Sequence, residues 1–182
     1  AVVPQYRTVD RVNRVLEALP TAVATSATDE TKRSLLRGEA LFLRALSHFQ
    51  LFRYYCGPYD PAGIAMPYME GTSLAPQARI TMAPYFQKLN ADITAAKALL
   101  PNNLTDKNRA TVAAANALHA RIALYMGDWA NAEAYSTAFI NAVPLSPIAQ
   151  FAGIWTDGNT NEVAFRMIRN TGNRIGSLYR GT

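Results

Sequence analysis

The sequence has one cysteine, two histidines and no long apolar run, and each scarcity excludes a class of protein. Because Cys56 is alone, no internal disulfide can form, and its place at the end of an apolar helix face predicts a small buried hydrophobe rather than a catalytic thiol. No apolar run approaches the roughly 18 residues that a transmembrane helix needs. The first residues contain neither an initiator methionine nor a secretory signal, so we expect a chain processed or cut from a longer one.

Groups that would carry catalysis or hold a metal are also scarce. His48 and His119 lie on separate predicted helices, whereas zinc needs three or four ligands at compatible spacing. Asp157, Asn159 and Asn161 alternate like the first ligands of a calcium loop, but the glycine required at its sixth position is replaced by Glu162. A nucleophile elbow and a phosphate-binding loop are both missing. The sequence therefore predicts no enzyme, no metal site and no cofactor.

The net charge of +5 is not spread over the chain. Four arginines follow the last acidic residue, Glu162, and the rest of the chain carries only about +1 without them: Arg166, Arg169, Arg174 and Arg180. A basic tail of this kind is weak evidence for a face that binds phosphates. The sequence therefore does not predict nucleic-acid binding.

Apolar residues at steps of three and four predict five helices. The first is expected from Thr8 to Leu19, and the second, capped by Thr28 or Asp29, from about Glu30 to Tyr55. Gly38 inside the second helix costs about 1 kcal/mol relative to Ala, which indicates close approach of a neighbouring helix. Glu39 and Arg44 flank Phe42 in this helix, and we expect them to anchor adjoining backbone or each other. The third helix is expected to start near Thr81 to Pro84 and to end at Leu100-Pro101. The fourth is expected from about Arg109 or Thr111 to Met126, and the fifth from Trp129 to about Ala142.

The last two helices form a recognisable unit. Gly127 can take the left-handed conformation that ends a helix, and Asp128 is a ready N-cap for the next one. From Thr111 to Pro144 the unit spans 34 residues, the period of a tetratricopeptide repeat, in which Trp129 would be buried. Glu162 to Ile168 alternates weakly, as a strand does. The predicted fold is a mostly all-α, tetratricopeptide-like solenoid of helical hairpins with a short C-terminal strand.

The long segment from Gly57 to Pro84 contains too many Pro and Gly residues for a regular element, and loops of this length are usually functional or packed on themselves. Aromatic rings can stack on the apolar faces of sugars, so exposed aromatics are the candidates for ligand contact. Tyr59 and Tyr68 on this loop are the best placed, and Trp155 is a further candidate.

Several motifs, in order, resemble the SusD/RagB family. Gly38-Glu39-Ala40-Leu41-Phe42-Leu43-Arg44-Ala45, running on to Gly57, resembles the family's signature helix. Val9 to Leu16 resembles its early helix, and Asp92-Ile93 with Leu99-Leu100-Pro101 resembles the helix after the loop. Trp155 and Glu162 to Phe165 resemble a later Trp and Glu-led strand. The matching positions are scaffold residues: Gly38, Glu39, Arg44, Arg109, Arg121, Gly127, Asp128 and Trp129.

This resemblance implies a lipid-anchored protein of the outer membrane, exposed at the cell surface, that captures oligosaccharides or peptides without catalysis. It also implies a partner, a SusC-like TonB-dependent transporter barrel. Full members of the family are two to three times longer and carry an N-terminal lipidated cysteine, which Cys56 cannot be. We therefore interpret residues 1–182 as one helical domain that supplies mainly scaffold, divided into 1–56, the loop 57–84, the hairpins 85–144 and an irregular 145–182.

A plain tetratricopeptide module is the alternative reading. In such a protein the groove of the solenoid would grip a peptide partner. The helices alone do not distinguish this alternative from the first.

Overall fold

The computed structural model describes residues 2–156 and 158–167, and it shows an all-α fold whose six helices pack as antiparallel pairs. Asp157, Ile168 and the tail arginines beyond Arg166 lie outside the described residues. The helices are α1 Val2–Ala18, α2 Ala27–Tyr55, α3 Met82–Leu99, α4 Val112–Met126, α5 Trp129–Ala142 and α6 Ile148–Trp155. Helices α1 and α3 both pack on α2, and α4 packs on α3 and α5.

Helix α1 begins at Val2, well before the predicted start at Thr8. Pro4 is tolerated because it lies in the first turn, where backbone N–H groups have no acceptor within the helix. The predicted apolar stripe is present, since Val9 and Val12 are buried. The sequence-based boundary was therefore wrong, whereas the helix and its buried face were right.

Helix α2 is capped by Ser26 rather than by Thr28 or Asp29. The Ser26 Oγ accepts a hydrogen bond from the Asp29 N–H at 3.2 Å, and the Asp29 carboxylate accepts one from the Ser26 hydroxyl at 2.8 Å. Asp29 therefore contributes to the cap from the first turn instead of forming it.

Gly38 lies where α2 approaches the end of α3. A Cβ built on Gly38 would lie 2.9 Å from the Cβ of Leu99 and 3.4 Å from the backbone oxygen of Ala96. Real Cβ atoms do not approach so closely, so only glycine fits without a shift. The close helix approach inferred from this residue is confirmed.

The hairpin of α4 and α5 has the predicted turn. Thr111 caps α4 by accepting a hydrogen bond from the Ala114 N–H at 3.2 Å. Gly127 has φ +72° and ends α4 in the left-handed conformation, and the Asp128 carboxylate accepts from the Asn131 N–H at 3.2 Å to cap α5.

The hydrophobic core lies between α2, α3 and α4. Each helix contributes side chains that are wholly or almost wholly buried: Phe42, Phe49 and Phe52; Tyr85, Phe86, Leu89 and Ile93; Ala115, Leu118 and Ile122. Phe165, from the segment after α6, packs edge-on against Phe42 at 5.3 Å between ring centroids. Among the described residues, no helix combines the length and hydropathy required to cross a bilayer.

Two expectations are wrong in the described part of the chain. Trp129 was expected to be buried, but its side chain is 68% exposed, because α5 packs on α4 and no described element covers its other side. Residues 162–167 form no strand, since no second strand pairs with them there, and the predicted last residue, Ile168, is outside the described range. Helix α6, in contrast, was not predicted.

Candidate functional site

The predicted loop after α2 is present, and hydrogen bonds join its two ends to each other. Residues 57–81 contain no helix, and an isolated antiparallel bridge joins Ile64 to Thr81. The Ala65 N–H donates to the Ile80 oxygen at 2.8 Å, and the Met82 N–H donates to the Gly63 oxygen at 2.8 Å. The end of the loop therefore pairs with residues 63–65, near its start, before α3 begins.

A buried ion pair lies under the middle of this loop. Arg44 of α2 and Asp92 of α3 form a bidentate pair, with Nε to Oδ2 at 2.7 Å and Nη2 to Oδ1 at 2.6 Å, and both side chains are at most 10% exposed. Burial acts to lower the pKa of Arg44, but the hydrogen bonds and charge of Asp92 raise it above its ordinary value. The guanidinium therefore remains charged inside the fold.

Further hydrogen bonds connect the ion pair to the loop. Arg44 Nη1 donates to the Glu70 backbone oxygen at 3.0 Å and to Asn13 Oδ1 at 3.1 Å. Asn13, wholly buried on α1, donates from Nδ2 to the backbone oxygens of Met69 at 3.0 Å and Gly71 at 3.1 Å. The Tyr68 hydroxyl donates to Asp92 at 2.7 Å. We call these residues, with His48, the loop anchor: Asn13, Arg44, His48, Tyr68 and Asp92.

His48 completes the loop anchor from α2. Its ring stacks on Tyr68 with 3.9 Å between centroids, and its Nε2 accepts from the Met69 N–H at 3.2 Å. The hydroxyl of Tyr85 donates to the His48 backbone oxygen at 2.7 Å. Burial lowers the pKa of His48 to about 3, so the imidazole is neutral at physiological pH.

A groove opens between α1 and the anchored part of the loop. It has a volume of about 290 Å³, and we call it the loop groove. Tyr6 spans it by donating from its hydroxyl to the Pro67 oxygen at 2.9 Å, and burial raises the pKa of Tyr6 to about 12. The lining combines apolar side chains with a few polar ones: Tyr6, Val9, Asp10, Asn13, Pro67, Met69, Gly71, Ser73, Ala75 and Gln77.

The groove can bind a ligand, but it offers no catalytic arrangement. Concave sites with apolar walls and a few fixed polar groups are typical of small-molecule binding. Its one carboxylate, Asp10, is paired with Arg14 at 3.0 Å. In the described part of the chain, no group of three or more His, Cys, Asp or Glu side chains could hold a metal ion.

The three aromatic residues predicted to meet a ligand are not brought together, and none lines the loop groove. Tyr59 is half-buried and packs edge-on against Phe86 at 4.8 Å. Tyr68 points inward to the loop anchor. Trp155, at the end of α6, is 78% exposed and lies edge-on to Phe151 at 6.2 Å.

The lining of the loop groove was missed by the sequence reading. Tyr6, Val9 and Asn13 recur at steps of three and four on one face of α1. The polar groups of Tyr6 and Asn13 at the two ends of this stripe could have indicated that this face of α1 does more than pack in the core. The residues from the loop carried no such signal, because irregular backbone has no periodicity.

The scaffold residues have defined partners. Glu39 and Arg44 do not pair with each other, and their partners lie on different elements. Glu39 accepts two hydrogen bonds from Arg109, at 2.6 and 2.5 Å. This pair ties α2 to the segment before α4. The Arg121 guanidinium lies 5.8 Å from the centroid of the Phe49 ring.

Comparisons with known structures give the fold a context. The chain is similar to a putative sugar binding protein from Bacteroides vulgatus, with a TM-score of 0.81 and 21% identity, over 92% of this chain and 40% of that one. A SusD superfamily protein from Bacteroides thetaiotaomicron matches with a TM-score of 0.74 and 23% identity, over 82% and 34%. Surface glycan-binding protein A from Bacteroides fluxus matches with a TM-score of 0.68 and 22% identity, over 87% and 33%.

The chain spans about a third to two fifths of the length of these structures. No curated protein matches it significantly. The model of one family, SusD-like_3, described as starch-binding and associating with the outer membrane, matches residues 3–124. This family consists of binding proteins, which confirms the prediction that the chain is not an enzyme. A match over most of the chain, on a fold shared with several SusD structures, shows that this chain belongs to the SusD-like family.

Proposed function

We propose that the protein captures oligosaccharides at the cell surface and that the loop groove is a glycan-contacting surface of this chain. The observation that carries the proposal is the loop anchor, which ties residues 68–71 to three helices through partly buried hydrogen bonds. A surface fixed in this way binds with little loss of conformational entropy.

The chemistry of the loop groove suits a neutral sugar. Pro67, Met69 and Ala75 provide apolar contact for the faces of a sugar ring, while Ser73 and Gln77 present groups that bind hydroxyls. Its volume of about 290 Å³ is at the lower end of the range for small-molecule sites, about 300–1,000 Å³. The groove therefore suits a short stretch of a glycan rather than a long chain.

A glycan array on the purified protein tests this proposal, followed by affinity measurements on variants. Gln77→Ala removes an exposed polar group of the groove, and Gln87→Ala is the matched control on α3, outside it. Gln77→Ala is expected to weaken binding by about three- to tenfold, the effect of one or two neutral hydrogen bonds. Equal affinities for the two variants would reject the groove as the contact surface.

Tyr59, Tyr68 and Trp155 remain proposed ligand contacts. Trp155→Ala is the clearest test, because the exposed ring has little packing to lose. We expect weaker glycan binding if this ring stacks on a sugar. Tyr68→Phe would instead act through the loop anchor, since the hydroxyl it loses binds Asp92.

The finer architecture and location are part of the same proposal. The hairpins form a tetratricopeptide-like solenoid, supported by the 34-residue unit with its turn at Gly127. The chain is the scaffold part of a lipid-anchored outer-membrane protein that works with a SusC-like TonB-dependent transporter. The family description supports the membrane association. Co-purification of a transporter with the intact protein from outer membranes is expected, and purification of the protein from cytoplasm would contradict the proposal.

A peptide-binding tetratricopeptide module is the second candidate. It is favoured by the apolar side chains that α5 and α6 leave exposed: Trp129, Ile140, Ile148, Phe151 and Trp155. The glycan array separates the two candidates, because a peptide-binding module would leave it blank.

A further inference from the structure

His119 is a buried imidazole without a hydrogen bond. Its side chain lies on α4, the residue is 5% exposed, and its ring stacks on Tyr135 of α5 with 3.9 Å between centroids. No hydrogen bond within the described residues engages its ring, and its Nδ1 is fully enclosed without a partner. Such a group costs about 1–3 kcal/mol unless something else in the site compensates.

A small cavity adjoins this imidazole. It has a volume of about 160 Å³ and lies between α3, α4 and α5. Ala123 and Met126 provide its apolar lining, and the polar lining comes from all three helices: Asn90, Thr94, His119, Asp128, Asn131 and Tyr135. None of these residues lines the loop groove.

Several polar groups of the lining have unused hydrogen-bonding capacity. The hydroxyls of Thr94 and Tyr135, like the ring of His119, have no hydrogen bond within the described residues. The ring of Tyr135 is nevertheless constrained, because it is held between the His119 ring and the ammonium of Lys97, which lies 4.0 Å from its centroid. The cavity therefore presents groups that can donate or accept, of which the Tyr135 hydroxyl is held in place.

The charges around the cavity favour a neutral occupant. Its only carboxylate, Asp128, already accepts from the Asn131 backbone N–H at 3.2 Å and from the Asn131 amide at 2.6 Å. Lys97 and Asn116 are engaged with each other outside the lining, at 3.3 Å. Neither a free cation for an anion nor a free carboxylate for an amine faces the space.

We propose that this cavity binds one neutral, hydroxyl-rich small molecule of monosaccharide or polyol class, whose hydroxyls bind Thr94, Tyr135 and the part of the His119 ring that lines the cavity. Its volume corresponds to about five water molecules at roughly 30 Å³ each. A solute with several hydroxyls replaces such waters while reproducing their hydrogen bonds, which is the condition for gaining affinity. This site is additional to the loop groove and does not depend on it.

The ring of His119 allows the site to be tested directly by NMR of the purified protein. His48 is bonded to Met69, which lines the loop groove, so its ring signals report on that groove instead. We titrate D-glucose, D-galactose, D-mannose, D-xylose and glycerol separately. At least one is expected to shift the His119 ring signals saturably, whether or not those of His48 move.

Paired variants locate the binding. Thr94→Val removes one exposed hydroxyl from the lining and is expected to raise the dissociation constant about three- to tenfold, as for one neutral hydrogen bond. Thr31→Val on α2 is the matched control and should bind like the unmodified protein. The proposal is overturned if no probe shifts His119 or if Thr94→Val binds as tightly as Thr31→Val.

Discussion

Replacing Arg44 by Met removes the cation of the loop anchor while keeping much of the side-chain volume. Asp92, 7% exposed, would then be a buried carboxylate with only the Tyr68 hydroxyl as a side-chain partner. Breaking a buried ion pair on one side costs about 3–5 kcal/mol. Since domains of this kind are stable by about 5–15 kcal/mol, Arg44→Met should lower the urea midpoint strongly.

The double variant Arg44→Met/Asp92→Leu tests the reason for that cost. It leaves no uncompensated buried charge, so its destabilisation should fall well short of the sum of the two single changes, with a coupling energy of about 3 kcal/mol. It should not restore full stability, because Asn13 and Tyr68 each lose a partner that the ion pair supplied.

Urea unfolding followed by circular dichroism measures all three variants, and amide hydrogen exchange at Met69 reports on the loop itself. Arg14→Met is the matched control, because its ion pair with Asp10 is exposed on α1, and it should not change the midpoint measurably. The reasoning is refuted if Arg44→Met costs less than about 1 kcal/mol or if the single changes add up in the double variant.

Three more predictions concern individual positions. Gly38→Ala gains about 1 kcal/mol of helix propensity but places a Cβ 2.9 Å from that of Leu99, so we expect a net loss of about 1 kcal/mol in urea unfolding. Gly57→Ala, with no atom within 4 Å of the added Cβ, should be neutral or stabilising, and the opposite order would contradict the packing argument. Gly127→Ala imposes φ +72° on a residue with a Cβ and should lower the melting temperature by about 2–4 °C, measured by calorimetry. Because burial lowers the pKa of His48 to about 3, the unfolded chain binds its proton first as the pH falls, and His48 alone should cost about 2 kcal/mol of stability between pH 7.5 and 5. Burial also lowers the pKa of His119, to about 4, so this residue adds a loss in the same direction. His48→Gln should therefore reduce the pH dependence without abolishing it, and an unchanged slope would contradict the assignment.

The helical frame could be predicted from the sequence because its signals are local. The stripe of α2 and the succession of Gly127 and Asp128 each require only neighbouring residues, and both were read correctly. The start of α1 was placed too late because the apolar stripe begins only at Val9, although the helix itself begins at Val2 and tolerates Pro4 in its first turn. The prediction that Trp129 is buried was wrong for another reason. Burial of this side chain depends on an element beyond the hairpin that contains Trp129.

The candidate site was predicted only as a region. The loop after Gly57 could be identified by its composition, but the inward orientation of Tyr68 depends on Asp92, which is distant in sequence. Arg44 and Glu39 were likewise expected to anchor adjoining backbone or each other, whereas the ion-pair partner of Arg44 is Asp92 on another helix. Pairings of this kind follow from helix packing, which periodicity predicts only in outline.

The loop anchor explains why the signature helix and the loop belong to one functional unit. A loop without regular hydrogen bonds would ordinarily be mobile, and a mobile surface loses binding energy when it is ordered by a ligand. Here Arg44 and His48 of α2 bind the backbone of residues 70 and 69, and Asn13 of α1 binds the backbone oxygens of residues 69 and 71. The helix that identifies the family thus does not need to touch a ligand to matter for binding. It fixes the backbone that forms one wall of the loop groove, so changes at Arg44 should weaken glycan binding through the loop without removing any contact atom.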